Sequence, residues 1–418
     1  MENKTVNNNL FFYLFSIFPV IDLFNGYLLS VDNNVPVGTL YRILILFYGL
    51  FILIKNKILK HKDLLIILTI NFAVFSTLTL VQAMFFNNSI SHVISDFTVL
   101  SKYLLWIITA LIFSEYLSDE SQLEKHMVKI NVYFSLGMLI PYLLGIGNFT
   151  YTNSNAGYKS FFFATNDLTY AFIILISILS FHIVDQFNQS KSGYFIFLIF
   201  LYGLNLICML IISTKSGIIY GVVNLTILLF YLIFVKSNVS YAFKFYLIQV
   251  LIILSLFFLV IGKDIIESML DGVINRIAYF YKVYEGNWIK ILSSSRSIYL
   301  EGAWKNFLIY PKNHLIILFG FGTANRWVFF GRQGGNIEMD FFDTAFSYGF
   351  LGIAVLITSL AYIVKKYKKE TGNTRYLYLF FVSVIYAFFT GHVFYSAMSA
   401  MIFGVVIGGL FIKRNTVA

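Results

Sequence analysis

Gly331-Arg332-Gln333-Gly334-Gly335, followed shortly by Ser347-Tyr348-Gly349-Phe350-Leu351-Gly352, marks the point where a polar interval ends and apolar sequence resumes. The interval, Lys263–Phe342, is the one long polar stretch of a chain that otherwise reads as membrane. Connections of that length between membrane helices are uncommon unless they serve a function. The rest of the chain therefore reads as a scaffold presenting this segment.

On both sides of the interval, apolar runs of roughly 20 residues recur, the length that crosses a bilayer. A mean hydropathy of +0.78, with 59% hydrophobic and 12% charged residues, excludes an ordinary soluble domain. The pattern predicts an all-α polytopic membrane protein with about 12 transmembrane helices and one long external loop. The spans fall near Leu10–Leu29, Gly38–Ile54, Leu64–Phe86, Phe97–Leu117, Val128–Ile146 and Leu168–Val184. Tyr194–Ile212, Ile218–Val235, Phe245–Ile261, Thr344–Val364, Tyr376–Phe389 and Phe394–Ile412 complete the set. The domain division is then 1–262 for the first nine helices, 263–342 for the loop and 343–418 for the last three. The first run follows a weakly basic start without a small-residue cleavage site, so it reads as a retained span.

Basic residues set the orientation. Lys55, Lys57, Lys60 and Lys62, then Lys125 and Lys129, then Lys236 and Lys244, then Lys365 to Arg375, and finally Lys413 and Arg414 all follow even-numbered spans. Loops rich in Lys and Arg stay in the cytoplasm, so both termini are expected inside and Lys263–Phe342 outside. The net charge of +10 is accounted for by these clusters, and nothing forms a nucleic-acid face. The single cysteine, Cys208, lies in an apolar run and rules out an intrachain disulfide. No His, Cys or carboxylate set has metal-ligand spacing, so the sequence calls for neither metal nor cofactor.

With this orientation Arg42, Asp96, Lys102, Asp167, Lys215 and His392 gather on the side of the long loop, which points to a polar chamber open to the exterior. The bland reading of each is a solvated flank. Lys215, in the tight turn Ser213-Thr214-Lys215-Ser216-Gly217, and Arg296 are placed to hold a lipid pyrophosphate, because cationic side chains there would meet phosphate oxygens. For Arg276, Arg326 and Arg332 an even competitor stands: loop arginines paired with Glu301, Glu285 or Asp271. Asp340 and Asp343 complement the dipole of the helix that follows them. Glu338 lies farther out, where a carboxylate can take a proton from a sugar hydroxyl. Tyr279, Tyr281, Tyr284, Trp288, Trp304 and Trp327 are available to stack on sugar rings, although interface belts and packing explain aromatics equally well.

Four segments together resemble the bacterial O-antigen and capsule polymerases (Wzy type) and the related O-antigen ligases. Phe161-Phe162-Phe163-Ala164-Thr165-Asn166-Asp167-Leu168 is similar to the family's aromatic approach to a Pro-Asn pair, with Thr165 in place of proline. Ser213-Thr214-Lys215-Ser216-Gly217 resembles its Ser-Arg/Lys-small turn. Arg296, Trp304, Pro311 and Gly320-Phe321-Gly322 follow the order of its large external loop, and Glu338 through Gly349-Phe350-Leu351-Gly352 forms the fourth segment. In the ligases this last segment begins with His-Asn, positions that fall here on Glu338 and Met339.

The resemblance implies a GT-C-like glycosyltransferase of the bacterial inner membrane. It would be an O-antigen polymerase moving a glycan from undecaprenyl pyrophosphate to a lipid-linked repeat unit, with inversion and without a metal. Arg296 and Lys215 would stabilise the leaving pyrophosphate and Glu338 would act as general base. Arg276, Arg326, Arg332, Asp340 and Asn166 would contact substrate. The implied partners are undecaprenyl-pyrophosphate-linked glycans, membrane lipid and a chain-length regulator. An O-antigen ligase is the nearest alternative; a flippase or other transporter of lipid-linked oligosaccharides is the alternative from another class.

Overall fold

The computed structural model describes residues 2–33, 35–55, 59–151, 156–187, 193–236, 278–309, 314–331, 334–370 and 373–413, with positions 245 and 249. Its helices in chain order begin with α1 (Glu2–Ser16), α2 (Phe18–Ser30), α3 (Val37–Lys55), α4 (Lys62–Phe85), α5 (Ile90–Tyr116) and α6 (Glu120–Leu143). A hairpin of β1 (Asn148–Tyr151) and β2 (Ala156–Ser160) precedes α7 (Thr165–Gln186), α8 (Gly193–Ile212) and α9 (Lys215–Tyr231). Within the long polar interval lie α10 (Trp288–Leu292), α11 (Arg296–Ile309), α12 (Leu315–Phe319) and α13 (Thr323–Phe330). The chain closes with α14 (Asp340–Glu370), α15 (Thr374–Phe389) and α16 (Ala397–Leu410).

The all-α polytopic reading is correct, and the expected count of twelve spans is not confirmed by the described residues. Among the described residues seven helices are long and apolar enough to cross a bilayer, or eight if the bent α1–α2 pair is one span. The shortfall has local causes. Helix α6 carries Glu120, Glu124, Lys125 and Lys129 in its first turns and Pro141 within it, which lowers its apolar content. Helices α15 and α16 have 16 and 14 residues. At 1.5 Å rise per residue they reach about 24 and 21 Å, short of a hydrocarbon core of roughly 30 Å. The expected ninth span, residues 245–261, lies outside the described residues.

The chain packs as two units. The first comprises residues 1–21, 35–123 and 284–418. Its centre is α5, buried continuously from Tyr103 to Glu115, as expected of a helix apolar on every face. Helix α16 lies against it through Gly404 and Gly408. A Cβ at Gly404 would stand 2.6 Å from the Trp106 carbonyl oxygen, so the small-xxx-small spacing is what lets the backbones approach. The second unit comprises residues 22–34 and 124–283. Here α7 is the buried helix, and its polar side chains are matched: His182 Nδ1 meets Glu124 Oε2 at 2.6 Å, and Ser180 donates to Asn224 at 2.7 Å.

One break positions the site in the first unit. Helix α14 is interrupted at Gly349, with φ 64° and ψ −163°. The Gly320-Phe321-Gly322 segment docks into the break: Phe321 N–H donates to Phe346 O at 3.1 Å and Gly322 N–H to Ser347 O at 2.8 Å. Gln82 of α4 also donates to Ser347 O, at 2.8 Å. Thus the carbonyls that the broken helix no longer uses are satisfied by the loop, as an apolar environment requires.

Candidate functional site

Helix α11 starts with Arg296, after Ser294 and Ser295 turn the chain through positive φ values of 51° and 75°. A cation at a helix N-terminus opposes the macrodipole, so the position calls for an anionic partner. That partner is Glu338. Arg296 donates from Nη2 to Glu338 Oε2 at 3.0 Å and from Nε to the Glu338 carbonyl oxygen at 3.1 Å. The Arg296 side chain is 10% exposed and that of Glu338 38%, so the carboxylate keeps an open face.

The turn that presents Glu338 is held by three features. Glu338 adopts φ +62°, unusual for a non-glycine residue. Asp343 accepts the backbone N–H of Ile337 at 3.0 Å and of Met339 at 3.1 Å, bracketing it. Gly391 lies against its backbone from the α15–α16 connection, and a Cβ there would come within 2.5 Å of the Glu338 carbonyl carbon.

Arg326 and Asp340 fasten this arrangement. Arg326 is 2% exposed. Its Nη1 donates to Asp343 O at 3.0 Å and Ser347 Oγ at 2.8 Å, and its Nη2 to Gly334 O at 3.0 Å and Asp343 Oδ1 at 2.7 Å. Asp340, also 2% exposed, accepts the N–H groups of His392 and Val393 at 2.7 Å and of Phe394 at 2.9 Å. Both side chains were expected to touch substrate. In the structure Arg326 bonds to Asp343, Ser347 and the Gly334 carbonyl, and Asp340 to three backbone N–H groups, partnerships that spacing along the chain does not reveal.

Near the Glu338 turn, whose backbone N–H donates to Asn336 Oδ1 at 3.3 Å, opens a cavity of about 180 Å³ bordered by Trp327, Asn336, Tyr348, His392 and Tyr395 together with Arg326, Asp340 and Asp343. Reading the sequence placed His392 on the same side as the loop but gave it no role, and it passed over Asn336, Tyr348 and Tyr395. The available signals were Asn336 directly after Gly334-Gly335 and a histidine after glycine in a short interhelical turn. Among the described residues no three His, Cys, Asp or Glu side chains gather as metal ligands would.

Of the remaining expected residues, Lys215 and Asn166 belong to the second unit. Lys215 begins α9 after Ser213, whose φ is +58°, and Thr214. Asn166 lies in the first turn of α7. The two segments meet where Thr169 Oγ1 and Thr214 Oγ1 approach to 3.0 Å. Nearby Lys159 donates to Phe163 O at 2.7 Å, and burial pulls its ammonium below the usual lysine range. Arg276 and Arg332 lie outside the described residues. The loop arginines that are described do pair with acids, though not with those weighed: Arg326 takes Asp343, Arg296 takes Glu338, and Glu301 is bound by Lys305 at 2.7 Å.

The four resembling segments therefore converge in pairs, two within each unit. No individual curated protein matches the chain. A family model described as O-antigen ligase like membrane protein matches residues 3–287, ending just before Arg296. On that match, over a multi-pass helical scaffold, the chain belongs to the O-antigen ligase-like membrane protein family.

Proposed function

We propose that the protein is a polysaccharide polymerase, transferring a glycan from undecaprenyl pyrophosphate to the hydroxyl of a lipid-linked repeat unit on the external face of the inner membrane, both termini being cytoplasmic. The observation that carries this reading is the Arg296–Glu338 pair, a guanidinium and a half-open carboxylate side by side, with Asn336 of a nearby cavity accepting the Glu338 backbone N–H at 3.3 Å. A pyrophosphate reaching Arg296 competes with Glu338 for its N–H groups, which favours the more highly charged anion. Glu338, released, accepts the proton of the acceptor hydroxyl. The acceptor oxygen bonds to the anomeric carbon with inversion, and the electron pair of the breaking C–O bond leaves on the pyrophosphate, stabilised by Arg296. Asp343, Arg326 and Asp340 keep the Glu338 turn in place.

The family description favours a second reading, ligation, which uses the same donor and a lipid A-core acceptor. Purified protein supplied with each acceptor separates the two. For the site, Glu338→Gln and Arg296→Ala in the native host are expected to lose the long polysaccharide ladder while reaching the membrane normally. Removal of a general base reduces rate by about 10²–10⁴. A full-length ladder from both variants would overturn the assignment.

A further inference from the structure

The cavity near the Glu338 turn has a chemistry different from that of the Arg296 pair. Of its charged neighbours, Arg326 is positive and Asp340 and Asp343 are negative. The four Nη hydrogen bonds of Arg326 all go to protein atoms. A phosphate entering here would face two carboxylates and only the Nε of one guanidinium whose Nη groups are engaged, so burying it would leave much of its charge uncompensated. A neutral ligand carries no such penalty.

Apart from Arg326, Asp340 and Asp343, the polar groups bordering the cavity are hydroxyls, an amide and an imidazole. Among the described residues the buried Tyr348 hydroxyl and the buried Arg326 Nε have no hydrogen-bond partner, and the half-buried Asn336 and His392 border the same space. Buried polar groups in this state are normally satisfied by something. His392 is also held at φ +64°, a strained conformation fixed by its N–H bond to Asp340. At the mouth, Trp327 is 54% exposed and offers an aromatic face. The volume of about 180 Å³ is many times what a single water needs and gives room for a hydroxylated ring.

We propose that this cavity is a subsite for one neutral sugar residue, with Asn336 and His392 hydrogen-bonding its hydroxyls and Trp327 covering a face of the ring. Because Gly391 packs on the Glu338 backbone, the ring held by His392 lies close to the turn that carries the carboxylate. Resting on the function proposed above, the ring is the acceptor's terminal sugar, and Asn336, His392 and Trp327 set which sugar is extended.

The test uses the full chain in nanodiscs and saturation-transfer NMR. Probes are neutral methyl hexosides and methyl N-acetylhexosaminides, a methyl hexuronate and inorganic pyrophosphate. At least one neutral glycoside is expected to bind, with affinity reduced fivefold or more in Asn336→Ala, Trp327→Ala and His392→Gln proteins that remain monodisperse. Trp327 is exposed, so its variant guards against loss through misfolding. Pyrophosphate and the uronate are expected not to displace the glycoside. The proposal is overturned if no neutral glycoside binds, if all three variants bind like wild type, or if pyrophosphate displaces the glycoside. In the transfer assay, Asn336→Ala and Trp327→Ala raise the acceptor KM more than they lower kcat; unchanged acceptor KM in both also overturns it. Failure of the polymerase reading shows separately, as an intact ladder in Arg296→Ala and Glu338→Gln cells, and leaves the glycoside-binding result standing.

Discussion

Alanine at Gly349 tests the docking of loop into broken helix, and a second glycine supplies the reference. Gly349 occupies φ 64°, ψ −163°, a region essentially reserved for glycine, where another residue costs about 1–3 kcal/mol. Its added methyl would also stand 2.5 Å from the Leu318 carbonyl carbon and 2.6 Å from Gly320 N. Both neighbours are backbone and cannot rotate away, so overpacking adds about 1–3 kcal/mol. Gly331 has nearly the same backbone, φ 59° and ψ −154°, yet nothing lies within 4 Å of its ideal Cβ. Gly331→Ala therefore carries the conformational part alone, about 1–3 kcal/mol, and Gly349→Ala both, about 2–6 kcal/mol. Unfolding of the two variants and wild type, side by side in one detergent, measures the difference. Limited proteolysis near Thr323–Phe330 should also increase in Gly349→Ala only. If the two variants unfold indistinguishably, the collision is absent and the proposed docking is wrong.

Four further substitutions follow from the hydrogen bonds and ion pairs. Asp340→Ala strands three backbone donors at about 1–3 kcal/mol each, so a loss of at least about 3 kcal/mol in unfolding experiments is expected; wild-type stability would refute the anchoring role. Arg326→Ala removes one member of a buried pair and should destabilise by about 3–5 kcal/mol. Arg296→Ala leaves Glu338 partly hydrated and should lower stability by only about 1 kcal/mol while abolishing product. The reverse order of stabilities would exchange their roles. Lys305→Ala breaks a pair whose side chains are 68% and 55% exposed, and no measurable change in unfolding or ladder length is expected.

How much of this was readable beforehand varies with the range of the interaction. Apolar runs are local, so the apolar helices were legible, whereas α10 to α13 and the β1–β2 hairpin, set in more polar sequence, were not. The count of twelve is unconfirmed at α6, α15 and α16, where charge or shortness weakens the local signal, and at residues 245–261. Arg296 and Glu338 were singled out separately and are found paired across 42 positions. The partners weighed for the arginines were Glu301, Glu285 and Asp271, whereas Arg326 pairs with Asp343, 17 positions on, which reads along the sequence as a helix-start acid. Asp340 looked like a helix-start acid and is one, but its three donors come from residues 392–394, more than fifty positions away. No periodicity encodes that pairing. The cavity wall was invisible for the same reason: Asn336, Tyr348, His392 and Tyr395 come from separate elements and become neighbours only when α14 and the α15–α16 connection pack together.

The interruption at Gly349 also bears on how the polypeptide is made. The carbonyls of Phe346 and Ser347 depend on donors from Gln82, Phe321 and Gly322, all of which leave the ribosome before residue 346. Synthesis thus delivers the lock before the key, and the half-helix that begins after Gly349 enters the bilayer with the partners of its predecessor already in hand. A circular permutant that reverses this order, bringing residues 340–370 out ahead of 82 and 321, would expose bare carbonyls to lipid during insertion.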